Sequence, residues 1–262
     1  MPSHKSTALI TGGSVGIGLE LAKQFASHGH DLILVARSRD ALEAAAGTLE
    51  GKHGIKVTTF SFDLAEPDSP QKLFDAVVAE GLNVDILVNN AGFGHGGEFV
   101  ETDLQRELDM IQVNVAALVH LTKLFLQPMV LRRSGRILNV ASTAAFQPGP
   151  LHSIYFASKA FVLSFSQAID EELRHTGVSV TCLCPGATAT EFAERAGIGN
   201  TRLFTLTGVA TAEEVARYGY SATMRGERVA LPGIKNKAQI QALRLLPRAL
   251  VTTLARKVQE NR

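Results

Sequence analysis

The sequence predicts an α/β protein built on a doubly wound, seven-stranded parallel sheet with helices on both faces. Two observations predict it. Seven short apolar runs lie near residues 7–11, 31–36, 56–60, 84–89, 135–141, 178–184 and 227–231, and stretches of helical period separate most of them. That alternation gives parallel strands joined by right-handed crossovers. The first run also passes through a glycine-rich turn straight into a helical pattern, the junction a parallel βαβ unit needs where its backbone turns sharply.

Taken in order, Thr7-Ala8-Leu9-Ile10 reads as a buried strand because it is short, apolar and partly β-branched. It enters Thr11-Gly12-Gly13-Ser14-Val15-Gly16-Ile17-Gly18, and Leu19, Ala22, Phe25 and Ala26 then share one helix face. Glycines let the chain turn and let a pyrophosphate approach bare N–H groups at the positive end of a helix. Gly12, Ser14, Val15, Gly16, Ile17 and Gly18 are therefore candidate dinucleotide contacts, in a Gly-x-x-x-Gly-x-Gly spacing one residue longer than the commoner fingerprint. The second strand, Asp31 to Ala36, ends at Arg37-Ser38-Arg39. In this fold that strand end faces the adenosine ribose, where an acid would select NAD(H). Arg37, with Ser38 beside it, suits a 2′-phosphate, so NADP(H) is expected over NAD(H). The alternative is that Arg37 begins an exposed helix and points to water.

Tyr155 and Lys159 stand four apart in the helical run Ser153 to Ala160, so both side chains project from one face. An ammonium beside a phenol favours the phenolate, and the pair is expected to bring the tyrosine below its reference pKa of about 10. Such a tyrosine can give and take a proton near neutral pH.

With these two motifs in place, the chain resembles the short-chain dehydrogenase/reductase family in its single-domain Rossmann form, over residues 5 to 232. Further motifs fall in the family's order. Asp63-Leu64 looks like its adenine-contacting pair, and Asn89-Asn90-Ala91-Gly92 is similar to its cofactor-side signature, giving Asn90, Ala91 and Gly92 as contacts. Asn114 and Ser142 match the remaining members of its catalytic tetrad with Tyr155 and Lys159. Pro185-Gly186-Ala187-Thr188-Ala189-Thr190 resembles the loop over the nicotinamide, with Pro185, Gly186, Thr188 and Thr190 as contacts. The resemblance implies a strand order of 3-2-1-4-5-6-7. It also implies that Lys159 holds the nicotinamide ribose, that Asn114 anchors a water, and that the protein is a homodimer or homotetramer. The implied chemistry is hydride transfer between the nicotinamide and a carbonyl or secondary alcohol: Ser142 polarises the oxygen and Tyr155 moves the proton.

Composition narrows the partners. Of 262 residues 45% are hydrophobic, enough for a sizeable core, and a net charge of +1 gives no reason to expect nucleic acid. The N-terminus has no apolar stretch of signal length, and the longest membrane-span candidate, Val113 to Leu131, contains Asn114, His120, Lys123 and Gln127, so it reads as a buried helix. Cys182 and Cys184 are two apart on one strand, roughly 6.6 Å along it, a poor disulfide geometry. They are read as buried thiols in a reducing cytoplasm. The eight histidines show no metal-ligand spacing, and no metal is expected. His95 and His152 lie near the active-site loops and are candidate substrate contacts.

One NAD(P)-binding domain is expected over residues 1–262, with a substrate lid about 187–225 and an amphipathic tail about 235–260. The lid's apolar residues suit an apolar acyl or ketone substrate, or they simply pack it down. In the tail, Leu243, Leu246, Leu250, Leu254 and Val258 repeat at helical spacing with Arg244, Arg248, Arg256 and Lys257 largely off the stripe. It is expected to pack on its own domain or a neighbouring subunit; the other reading lays it on an anionic membrane surface. Pro232-Gly233-Ile234-Lys235-Asn236-Lys237 followed by Leu246-Pro247-Arg248 resembles the tails of DltE-like short-chain dehydrogenases, a branch near the 3-ketoacyl reductases. The alternative to an NADP(H)-dependent enzyme is a scaffold that binds NADP(H) without turnover.

Overall fold

The computed structural model describes residues 5–190 and 209–259. Seven strands form one parallel sheet: β1 (Thr7–Thr11), β2 (Asp31–Ala36), β3 (Val57–Ser61), β4 (Ile86–Asn89), β5 (Gly135–Val140), β6 (Val178–Leu183) and β9 (Val229–Ala230). Their order is β3-β2-β1-β4-β5-β6-β9, the expected topology. The last strand is ninth in sequence because two short strands, β7 (Thr188–Ala189) and β8 (Ala210–Thr211), pair separately. It is shorter than expected, being preceded by Gly226 with φ +65°, which ends a helix, and followed soon after by Pro232.

Alternation along the strands builds two cores, one on each face. Ala8, Ile10, Leu32, Leu34, Ile86 and Val88 pack against α1 (Gly16–Ser27) and α2 (Arg39–His53). Leu9, Ile33, Val35, Leu87 and Ile137 point the other way, onto α3 (Ser69–Ala79) and the long helix that begins as α4 (Leu104–Ile111), widens to a π turn over Gln112–Ala117, and continues as α5 (Leu118–Leu131). By length and composition this helix could cross a membrane, but here Met110, Ala117, Leu121, Phe125 and Met129 bury one face of it within the domain. The helix α6 (Ser153–Glu172) lays Val162 and Leu163 on Cys182 and Cys184. Both cysteines are free and fully buried, with sulfurs 3.8 Å apart.

Two differences from expectation concern the C-terminal third. Of the lid expected over 187–225, residues 191–208 lie outside the described residues, and Ala212–Arg225 forms α7, which packs on α1. Thr211 and Glu214 close a capping box at its start, and Val215, Ala216, Tyr220 and Ala222 enter the core. The tail is two helices, α8 (Ile234–Leu245) and α9 (Arg248–Gln259), because Pro247 interrupts it. The break separates their phases. Ile240 is buried on α8 and Val251, Ala255 and Gln259 on α9, while Leu246, Leu250 and Leu254 of the anticipated stripe stay exposed. Both helices pack on their own domain.

Candidate active site

The β1–α1 junction is built around its glycines. Gly12 gives its N–H to Val35 O at 2.7 Å with φ +65°, and a Cβ there would sit 2.8 Å from Asn90 Nδ2. A Cβ on Gly18 would overlap the Gly12 carbonyl. Helix α1 starts with no side-chain cap at Val15 and no acid in its first turn, so its leading N–H groups are left for an anion. Asn90 locks this loop to the end of β4: its side-chain amide donates to Thr11 O and Gly12 O at 2.9 and 3.3 Å. The Thr11 hydroxyl accepts from the N–H groups of Asn90 and Ala91.

From this junction a cleft of about 750 Å³ runs along the carboxyl ends of the strands. All the cofactor-binding residues expected from sequence line it, as do Ser142, Tyr155 and Lys159; Asn114 stands behind. At one end Ser38 caps α2, accepting from Ala41 N at 3.3 Å. Arg37 therefore precedes the helix rather than starting it, and its side chain is 75% exposed at the cleft edge, 3.9 Å from Asp63. Asp63 also accepts from Ala65 N, and Leu64 is buried below.

At the other end Ser142 is fixed by two contacts: its Oγ accepts from Ala144 N at 3.1 Å and donates to Pro185 O at 3.4 Å. Its hydroxyl also hydrogen-bonds the phenol of Tyr155. Lys159 is buried, donates to Val140 O at 2.9 Å, and lies 5.8 Å from the centre of the Tyr155 ring. Asn114, inside the π turn, grips the main chain of Phe93 from both sides and donates to Ser158 Oγ at 3.1 Å. Gly92 packs against it; a Cβ there would be 2.9 Å from Asn114 Oδ1 and 3.4 Å from Lys159 Nζ.

The electrostatics of the pair differ from the sequence expectation. Burial pushes the Tyr155 phenol up to about 12, only partly offset by the Ser142 hydrogen bond. Burial also draws the Lys159 ammonium down to about 8, against a smaller opposing pull from Cys182 and Cys184. The ammonium lies 5.8 Å from the ring centre, and desolvation, the largest cause of both shifts, outweighs the pairing inferred from the four-residue spacing.

Some cleft residues were not anticipated. Helix α8 brings Asn236, Gln239, Ile240 and Leu243, and α9 brings Gln259. Asn236 packs on Gly186, which has no room for a Cβ beside it. The available signal was the buried spacing Val251, Ala255, Gln259, an apolar stripe ending in an amide. His152 lines the cleft; His95 does not.

A doubly wound sheet with a glycine turn after its first strand, and a cleft at the carboxyl ends of its strands, defines the class of dinucleotide-binding α/β proteins. Within that class, the model described as short chain dehydrogenase matches residues 6–200, and the chain belongs to this family. It is similar to the very-long-chain 3-oxoacyl-CoA reductase of Phaeosphaeria nodorum, 40% identical over 181 residues, which are 67% of this chain and 53% of that one. The reductase of the same name from Homo sapiens is 36% identical over 199 residues, 74% and 62% of the two chains. The chain thus spans between half and two thirds of the length of these relatives. Among solved structures, a short-chain dehydrogenase from Sphingobium yanoikuyae in complex with NADPH is 35% identical, with a TM-score of 0.81 over 91% of this chain and 92% of that one. L-Sorbose reductase from Gluconobacter frateurii, complexed with NADPH and L-sorbose, is 29% identical with a TM-score of 0.75 over 87% and 94%.

Proposed function

We propose that the protein is an NADP(H)-dependent oxidoreductase that reduces the carbonyl of an apolar acyl or ketone substrate, a 3-oxoacyl thioester foremost. The observation that carries this reading is the meeting of Ser142, Tyr155 and Lys159 on one cleft that begins at the uncapped start of α1. The names of the relatives support the acyl class, and the NADPH complexes among the similar structures support the cofactor. The cleft fits a dinucleotide: bare N–H groups at the glycine turn for the pyrophosphate, and Arg37 and Ser38 at the adenosine end for a 2′-phosphate. The bound nicotinamide would supply the hydride.

The chain's own groups do the rest. Ser142 Oγ donates to the substrate oxygen and holds it as negative charge develops there. Tyr155 gives that oxygen its proton. A phenol held up to about 12 stays protonated throughout the physiological range, which suits an acid in the reductive direction. Lys159, partly relieved of its charge by burial, recovers a full partner as the phenol loses its proton, so the pair is stabilised when the proton has left. Asn114 keeps Phe93, and with it the end of β4, in register with α6.

The free, buried cysteines suit the reducing cytoplasm as its setting. The test is NADPH oxidation, followed by absorbance, with 3-oxoacyl thioesters, bulky ketones and sterols. Turnover of the thioesters is expected. NADPH binding without consumption in the presence of any of these carbonyl classes would favour the scaffold instead.

A further inference from the structure

The cleft contains one buried hydrogen-bond acceptor with no donor among the described residues, Gln259 Oε1, and a histidine whose tautomer leaves it a second acceptor. His152 is 6% exposed and lines the cleft. Its Nδ1 faces His95 O at 3.3 Å, which places the ring proton on Nδ1 and leaves Nε2 a lone-pair acceptor. The ring is held in place: Gly96 packs against it with no room for a Cβ. Burial lowers its pKa, which keeps it neutral. Gln259 is 4% exposed, lines the same cleft, and its Oε1 has no partner. Glu107, in the electrostatic neighbourhood of His152, is also buried with Oε2 unpartnered.

One loop, residues 95–98, is tied to the neighbourhoods of both His152 and Gln259. Gly97 N–H donates to Leu151 O at 2.8 Å, next to His152, and Arg256 pairs with Glu98 one turn before Gln259. An acceptor removed from water and left unpaired is destabilising, so Gln259 Oε1, kept in a binding cleft, points to a ligand that brings the donor. Helix α9 lies outside the residues matched by the family model, which end at 200.

We propose that His152 and Gln259 form a specificity subsite that accepts a hydrogen bond from a donor on the substrate, beyond the carbonyl that reacts. This rests on the acyl-thioester reading above, in which the donor is an amide N–H of the thiol arm. A sterol would offer a hydroxyl in its place.

The test compares 3-oxoacyl thioesters of N-acetylcysteamine, which carries one amide N–H, with those of its N-methyl counterpart, which carries none. A neutral hydrogen bond predicts a KM about 10-fold lower for the N–H thioester in the parent, with kcat nearly equal. Gln259→Leu and His152→Phe should close that gap by raising KM for the N–H thioester. Gln259→Glu, which keeps an acceptor of the same length, should retain it. The inference is overturned if the parent does not distinguish the two thioesters. It is equally overturned if the gap survives both apolar variants, or if Gln259→Glu behaves like Gln259→Leu. A protein that reduces neither thioester but reduces a hydroxysteroid ketone loses the acyl reading; the subsite then stands only if Gln259→Leu raises KM for that ketone and not for its deoxy analogue.

Discussion

Replacing Lys159 by methionine should end turnover and yet stabilise the fold at neutral pH. The lysine is 6% exposed, and burial takes its ammonium from 10.5 to about 8. Each pKa unit is about 1.4 kcal/mol, so holding the charge in the folded state at pH 7 is unfavourable by roughly 3 kcal/mol. Methionine keeps most of the apolar stem but leaves Val140 O without its donor, which takes back about 1–2 kcal/mol. The net gain is roughly 1–2 kcal/mol, a rise in Tm of a few degrees for a chain of this size. The pH dependence fixes the cause. The folded lysine has the lower pKa, so the penalty is fully present below about pH 8. It is relieved as pH rises toward 10.5, where the unfolded chain still binds a proton that the folded one has released. Denaturation of parent and variant at pH 7 and pH 9.5, without cofactor, reads this directly. The variant should lead at pH 7 and lose its lead at pH 9.5. A variant less stable than the parent at pH 7, or a lead that ignores pH, would refute the claim that a desolvated ammonium is kept there at a stability cost, as functional groups often are.

Tyr155→Phe should lower kcat by about 10²–10⁴-fold while NADPH affinity stays within a few-fold, because the ring still packs and only the proton donor is lost; single-turnover kinetics and cofactor titration check it. Arg37→Asp should erase a preference for NADPH over NADH of about 10-fold, near the low end for a charge-assisted bond because the guanidinium is largely exposed; dissociation constants at one salt concentration decide it. The exposed ridge Leu104, Leu108 and Ile111 on α4, with Phe161 stacked on Phe165 of α6, is expected to seat a second copy, so sedimentation should give a dimer or tetramer and Leu108→Glu with Phe161→Glu a monomer. Helices α8 and α9 carry six basic and no acidic residues and leave Leu245, Leu250 and Leu254 exposed; if this face touches lipid, anionic vesicles should co-sediment the parent but not Leu250→Glu with Leu254→Glu.

The strand order and most of the residues expected around the cleft came through a family resemblance; what the residues by themselves determined was the alternation of strands and helices and the glycine turn. Those features are local or periodic: strand alternation places Leu9 and Ile10 on opposite faces, and Gly12 must be glycine because no side chain fits its turn. Four-residue spacing correctly put Tyr155 and Lys159 on one helix face. It could not report their pKa values, because desolvation depends on what other elements cover the pair, and here burial reverses the expected direction for the tyrosine. Tertiary structure alone also decided the tail. Its leucine repeat marked an amphipathic helix, but Pro247 splits the segment and lets each half rotate to its own packing solution, burying Val251, Ala255 and Gln259 in place of Leu250 and Leu254. Periodicity identifies which side chains share a face. Which face is buried depends on contacts with distant residues, and through those contacts an amide near the C-terminus comes to line a cleft that starts at residue 12.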